Sequence, residues 1–154
     1  MAERSKVQIN ALHRFAIAIA LCGLAPLGRA AIFTVHIFDF DFNLNPEGGA
    51  IVDPVINVGD TVRWQWDGGD YSATSVAGSL ESWDSGVTSL VGSTFDHTFT
   101  NVGMFNYYCT MHGLDIGNGT AIGMAGSVTV NAVPEPATFA ALGLGLLALR
   151  HRRR

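Results

Sequence analysis

The residues best suited to chemistry cluster in the last third of the domain. Cys109 and His112 stand three apart in YYCTMHG, and Met124 follows in GMAGSVTV. Thiolate and thioether are soft donors and imidazole is intermediate, a combination that suits copper. Two imidazoles and a thiolate in a plane, with a weak axial thioether, make the blue-copper arrangement. Structural zinc asks for a fourth strong ligand, and covalent haem asks for C-x-x-C-H, which is absent. Plainer uses compete: Cys109 as an inert buried thiol and Met124 as a core gap-filler. No nucleophile–base pair, phosphate loop or paired catalytic carboxylate accompanies these residues, so an enzyme is not expected.

The ends of the chain decide how many thiols remain. Residues 1–30 read as a secretory signal peptide. Arg4, Lys6 and Arg14 give a positive start, Phe15–Leu27 is apolar, and Gly28-Arg29-Ala30 sets cleavage before Ala31. Cleavage removes Cys22 and leaves Cys109 buried, paired between chains, or bound to a metal. At the other end, VPEPATFAALGLGLLALRHRRR joins Pro134-Glu135-Pro136, the apolar run Ala137–Leu149 and a basic tail. As helix that run reaches only ~20 Å, against a hydrocarbon core of ~30 Å, which limits it to transient membrane insertion. The pattern over residues 133–154 resembles the PEP-CTERM sorting signal. The resemblance implies processing by an exosortase-type enzyme in a Gram-negative-type bacterium. Delivery would be to the cell surface or extracellular matrix.

Residues 31–132 must then form the domain that positions the three donors. Val62, Trp64 and Trp66 share one face of an alternating segment, and Thr61, Arg63 and Gln65 share the other. Phe95, His97 and Phe99 alternate with Asp96, Thr98 and Thr100; Phe105, Tyr107 and Cys109 follow the same rule, and Val128 and Val130 end the series. Period-2 patterning punctuated by Gly, Asn, Asp and Pro predicts strands, and seven or eight of them predict an all-β antiparallel sandwich. Phe33, Val35 and Ile37 give way to Phe38, Phe40 and Phe42, a change of phase that predicts a bulge near Ile37. Helices are expected only in the two hydrophobic terminal signals. His97, between two core-facing Phe positions, reads as a satisfied structural histidine. Asn118-Gly119-Thr120 reads as a turn, and Trp64, Trp66 and Trp83 as core or rim aromatics.

The stretch FDHTFTNVGMFNYYCTMHG, followed by GMAGSVTV, resembles the plastocyanin-like cupredoxins. GDTVRWQW (Gly59–Trp66) looks like that family's strand before its first His ligand, and ESWDSG (Glu81–Gly86) like the loop segment after it. The resemblance spans about residues 31–131. It implies a Greek-key β-sandwich and one-electron transfer through a single copper held by Cys109, His112 and axial Met124. Where the family places its first His ligand, this chain reads DYSATSV, with Tyr71 at that position. Three states of the site follow. Copper binds with Tyr71 or water completing the shell, copper binds weakly, or the domain is a copper-free surface or matrix protein.

Charge narrows the partners. The chain has 9 Lys+Arg and 13 Asp+Glu, which argues against nucleic acid. Between Ala31 and Val133, eleven acids face the single base Arg63, a net charge of −10. Such a field repels copies of itself and steers a basic redox partner, such as a cationic cytochrome, at low salt.

Overall fold

The computed structural model describes residues 29–133, and these fold entirely as strands, turns and loops. Both terminal segments expected as hydrophobic helices lie outside the described residues. No helix among the described residues is long and apolar enough to cross a membrane. In chain order the strands are β1 (Ile32–Phe38), β2 (Asp41–Asn43), β3 (Val55–Asn57), β4 (Thr61–Trp66), β5 (Thr74–Ser75), β6 (Thr94–Thr98), β7 (Gly103–Asp115) and β8 (Ala121–Asn131). One sheet runs β2-β1-β4-β6 and the other β3-β8-β7-β5.

The expected two-sheet all-β fold is present, but its sheets are mixed rather than purely antiparallel. β1 pairs with β4 in parallel, and so does β3 with β8. The connectivity explains this. After β2 the chain leaves the first sheet, adds β3 to the second, and returns as β4 running in the direction of β1. A parallel pair needs such a crossover, because a tight hairpin can join only antiparallel strands.

The phase change in the first segment has a different cause from the expected bulge. Phe38 pairs with Asp41, so Asp39 and Phe40 form a two-residue hairpin loop. Their φ angles are 44° and 63°, the positive values a type I′ turn requires at both positions. Phe40 therefore points out of the core, 63% exposed, while Phe38 and Phe42 are buried. Left-handed backbone costs a side-chain-bearing residue about 1–2 kcal/mol, and most of all a bulky one. Phe38, Phe40 and Phe42 therefore do not continue one face, because the chain reverses at Phe40.

Strict alternation elsewhere translates directly into packing. Val62, Trp64 and Trp66 of β4 are buried against Phe105, Tyr107, Val128 and Val130 of the opposite sheet. Trp64 stacks on Trp83 at 5.6 Å between ring centroids and meets Tyr107 edge-on at 5.3 Å. Burial pushes the Tyr107 phenol well above its ordinary pKa. Removing a fully enclosed indole such as Trp64 leaves a cavity worth about 3–5 kcal/mol.

His97 has the structural role expected of it. Its Nε2 lies 2.8 Å from Glu81 Oε2, and its ring stacks on Trp83 at 4.8 Å. The other Glu81 oxygen accepts from the backbone N–H groups of Thr100 and Asn101 and from both their side chains. Burial alone would raise the Glu81 pKa. Hydrogen bonds from Asn101, His97 and the Thr100 and Asn101 backbone outweigh it and hold the carboxyl below its ordinary value.

Candidate metal centre

The candidate donors meet at an irregularity in the pairing of β7 with β8. Tyr108 pairs with Ala125 and Gly113 with Gly123. Four residues, Cys109 to His112, therefore stand opposite one, Met124. A bulge of this size turns side chains that regular pairing would send to opposite faces. It also demands close backbone approach. Gly123 has φ 79°, and a Cβ there would lie 2.7 Å from the His112 carbonyl oxygen.

Cys109 is fully buried, Met124 is 4% exposed, and His112 is exposed. Cys109 Sγ and His112 Nδ1 are 3.5 Å apart. This separation fits a thiol–imidazole hydrogen bond. It also fits two ligands of one ion. With metal–sulfur ~2.3 Å and metal–nitrogen ~2.0–2.1 Å, as at zinc, a tetrahedral angle sets S and N roughly 3.5 Å apart. A buried thiolate source, an exposed imidazole and a buried thioether are thus a donor set that fits copper. Among the described residues, no three His, Cys, Asp or Glu side chains converge on one point. The other two histidines among the described residues lie elsewhere: His36 pairs with Asp67 at 2.6 Å, and His97 with Glu81.

Tyr71 lies beside the donors, 5% exposed, with its ring 5.3 Å from that of His112. Its backbone is tied on both sides. Trp66 Nε1 donates to the Tyr71 carbonyl at 2.9 Å, and Tyr71 exchanges two backbone hydrogen bonds with Thr88. Its hydroxyl accepts the Phe40 N–H at 3.1 Å. The ring also fills the space beside Gly69, where φ is 76° and an added Cβ would strike the phenol at 2.3 Å.

Two participants escaped the sequence reading. Ser72 donates its N–H to Cys109 Sγ at 3.5 Å, and its hydroxyl accepts the Thr110 N–H at 2.9 Å. It thereby clamps the Tyr71 segment to the Cys109 strand, and nothing in DYSATSV marks it for that task. Phe40 is the other, its ring edge-on to His112 at 4.8 Å. The signal for Phe40 was present in the broken alternation after Ile37, where a turn residue, Asp39, precedes an aromatic one.

Comparison with known proteins places both parts of the chain. Residues 132–154 match the PEP-CTERM protein-sorting motif. The chain is 36% identical over 87 residues to halocyanin of Natronomonas pharaonis, an alignment covering 53% of this chain and 49% of halocyanin. It thus spans about half the length of that relative. Similar solved structures include two mutants of amicyanin. The one in its Cu(I) form is 25% identical, with 69% of this chain and 87% of that one covered and a TM-score of 0.48. The oxidized one is 22% identical, with 71% and 89% covered and a TM-score of 0.48. The chain thus carries a domain similar to halocyanin, followed by a PEP-CTERM sorting motif.

Proposed function

We propose that the domain is an exported one-electron carrier whose single copper is held by Cys109, His112 and Met124. The observation that supports this reading is the four-against-one bulge that sets Cys109 to His112 opposite Met124 in the strand register, with Cys109 Sγ 3.5 Å from His112 Nδ1. Copper, when bound, supplies the one-electron couple. The chain's own residues supply the rest. Cys109 ends a buried run of β7 and links the site covalently to the core. Exposed His112 offers the route to a partner at the surface. Met124 and Tyr71 limit water on the inner side. Asp39, Asp67 and Asp70 are exposed near this end and favour a basic partner, with steering that salt weakens beyond ~8–10 Å.

The sorting motif marks an exported, cell-surface-associated protein and implies exosortase processing. The matrix or outer surface of a Gram-negative-type bacterium is the destination we propose. A second reading, a copper-free surface or matrix protein, is favoured by one observation. Among the described residues no three His, Cys, Asp or Glu side chains converge, and by the family resemblance Tyr71 takes the place of a second imidazole. Titrating the purified chain with Cu(I) and Cu(II) separates the two. The carrier develops an intense thiolate-to-copper absorption in its oxidised state, which Cys109→Ser abolishes. Absence of copper uptake in either oxidation state rejects the carrier and leaves the second reading.

A further inference from the structure

Tyr71, Phe40 and His112 form a three-ring cluster. The centroid separations are 4.8 Å for Phe40–His112, 5.3 Å for Tyr71–His112 and 5.9 Å for Phe40–Tyr71, each pair edge-to-face. Phe40 holds this position only because its backbone adopts φ 63°, a value that bulky residues avoid. The preceding Asp39 is also left-handed, at φ 44°. A turn of this kind built from Asp-Phe instead of Asn-Gly needs external support, and strained backbone persists where its surroundings over-determine it. The visible support is the hydroxyl of the buried Tyr71, which accepts the Phe40 N–H from 31 residues away in the chain.

We infer that Tyr71 is a positioning residue for His112 and not a copper donor. Its hydroxyl latches the Asp39–Phe40 turn, and the latched turn sets Phe40 against one side of the imidazole while the Tyr71 ring takes another. The inference rests on the copper reading above for its second half. With the phenol committed to the latch, copper has one thiolate, one imidazole and one thioether, a soft set that selects Cu(I) over Cu(II).

The first test needs no metal. In the metal-free full-length chain, Tyr71→Phe keeps the ring and removes the hydroxyl. Exchange of the Phe40 amide is expected to rise about tenfold, and the His112 ring resonances are expected to move. Phe40→Asn, a residue that tolerates positive φ, keeps the turn and removes the ring, and it too is expected to move those resonances. Unchanged Phe40 exchange and His112 resonances in Tyr71→Phe overturn the latch. The second test uses copper alone. Tyr71→Phe is expected to retain Cu(I) affinity within about threefold. Tyr71→His, which adds a donor, is expected to raise Cu(II) affinity at least tenfold, by analogy with the ~10–100-fold effects of outer-shell partners. A tenfold loss of Cu(I) affinity in Tyr71→Phe with Phe40 exchange unchanged makes Tyr71 a donor and overturns the inference. Wild-type chain that takes up neither ion defeats the carrier reading and the donor half of this one, while the exchange data still decide the latch.

Discussion

His97 and His112 both lie against aromatic rings, yet their polar atoms are used in opposite ways. His97 sits on β6 opposite Val62, stacked on Trp83, with Nε2 committed to a carboxylate that four further donors hold in place. His112 is exposed, steadied only by ring edges, and its Nδ1 faces a buried sulfur. The first arrangement spends its hydrogen bonds on joining the Glu81 loop to the end of β6. The second leaves an imidazole whose Nδ1 meets only a thiol and no carboxylate. Saturation of polar capacity, more than burial or aromatic company, separates a structural histidine from one available for chemistry.

The largest expected effect falls on the saturated side. Glu81→Ala strands the Thr100 and Asn101 N–H groups and His97 together. Leaving a buried donor without its partner costs about 1–3 kcal/mol, and the several donors stranded together here place this case at the upper end, about 3 kcal/mol. His112→Ala, at an exposed position, is expected to change stability by less than about 0.5 kcal/mol. Denaturant midpoints at unchanged slope measure both, and equal losses would erase the distinction. Gly123→Ala comes next. Positive φ and the near contact with the His112 carbonyl predict about 1–3 kcal/mol of strain, together with weakened copper uptake because the bulge must shift. For the metal itself the order reverses. His112→Ala is expected to lower copper affinity at least tenfold and His97→Ala by less than twofold, read by competition with a chelator.

The fold was legible where period 2 runs unbroken. Val62, Trp64 and Trp66, then Phe105, Tyr107 and Cys109, had their faces written in the alternation, and all six are buried. The mixed character of the sheets was hidden, because alternation fixes a strand's faces and leaves its direction open. At the candidate site, Cys109, His112 and Met124 stand out in the sequence by their types and spacing. The four-residue bulge that sets Cys109 to His112 opposite Met124 was not legible, since a chain slipping out of register looks like a polar loop. The hydrogen bond of the Tyr71 hydroxyl uses a backbone N–H and leaves no mark on any side chain's identity. Ser72 is hidden for the same reason: its N–H to Cys109 is available to almost any residue.

The smallest effect sharpens the comparison through pH. The Glu81 carboxyl, desolvated but held by stronger hydrogen bonding, titrates below its unfolded value. A depressed folded pKa means that the unfolded chain binds its proton first as pH falls. The stabilisation is therefore fully present above the unfolded carboxyl pKa, roughly 4.3, and drains away as pH falls from there through the folded value. Asp96, held low by the Arg63 guanidinium, and Asp115, held low by the Ala77 and Gly117 N–H groups, add slopes of the same sign. Glu81→Gln leaves those two in place, so the difference between wild type and variant isolates Glu81. Wild type is expected to be the more stable at neutral pH, with the gap narrowing below about pH 4.3 as its carboxylate takes up a proton. Stability curves that stay parallel through that range would mean the carboxylate charge contributes nothing, and the contrast with His112 would then rest on packing against Trp83 alone.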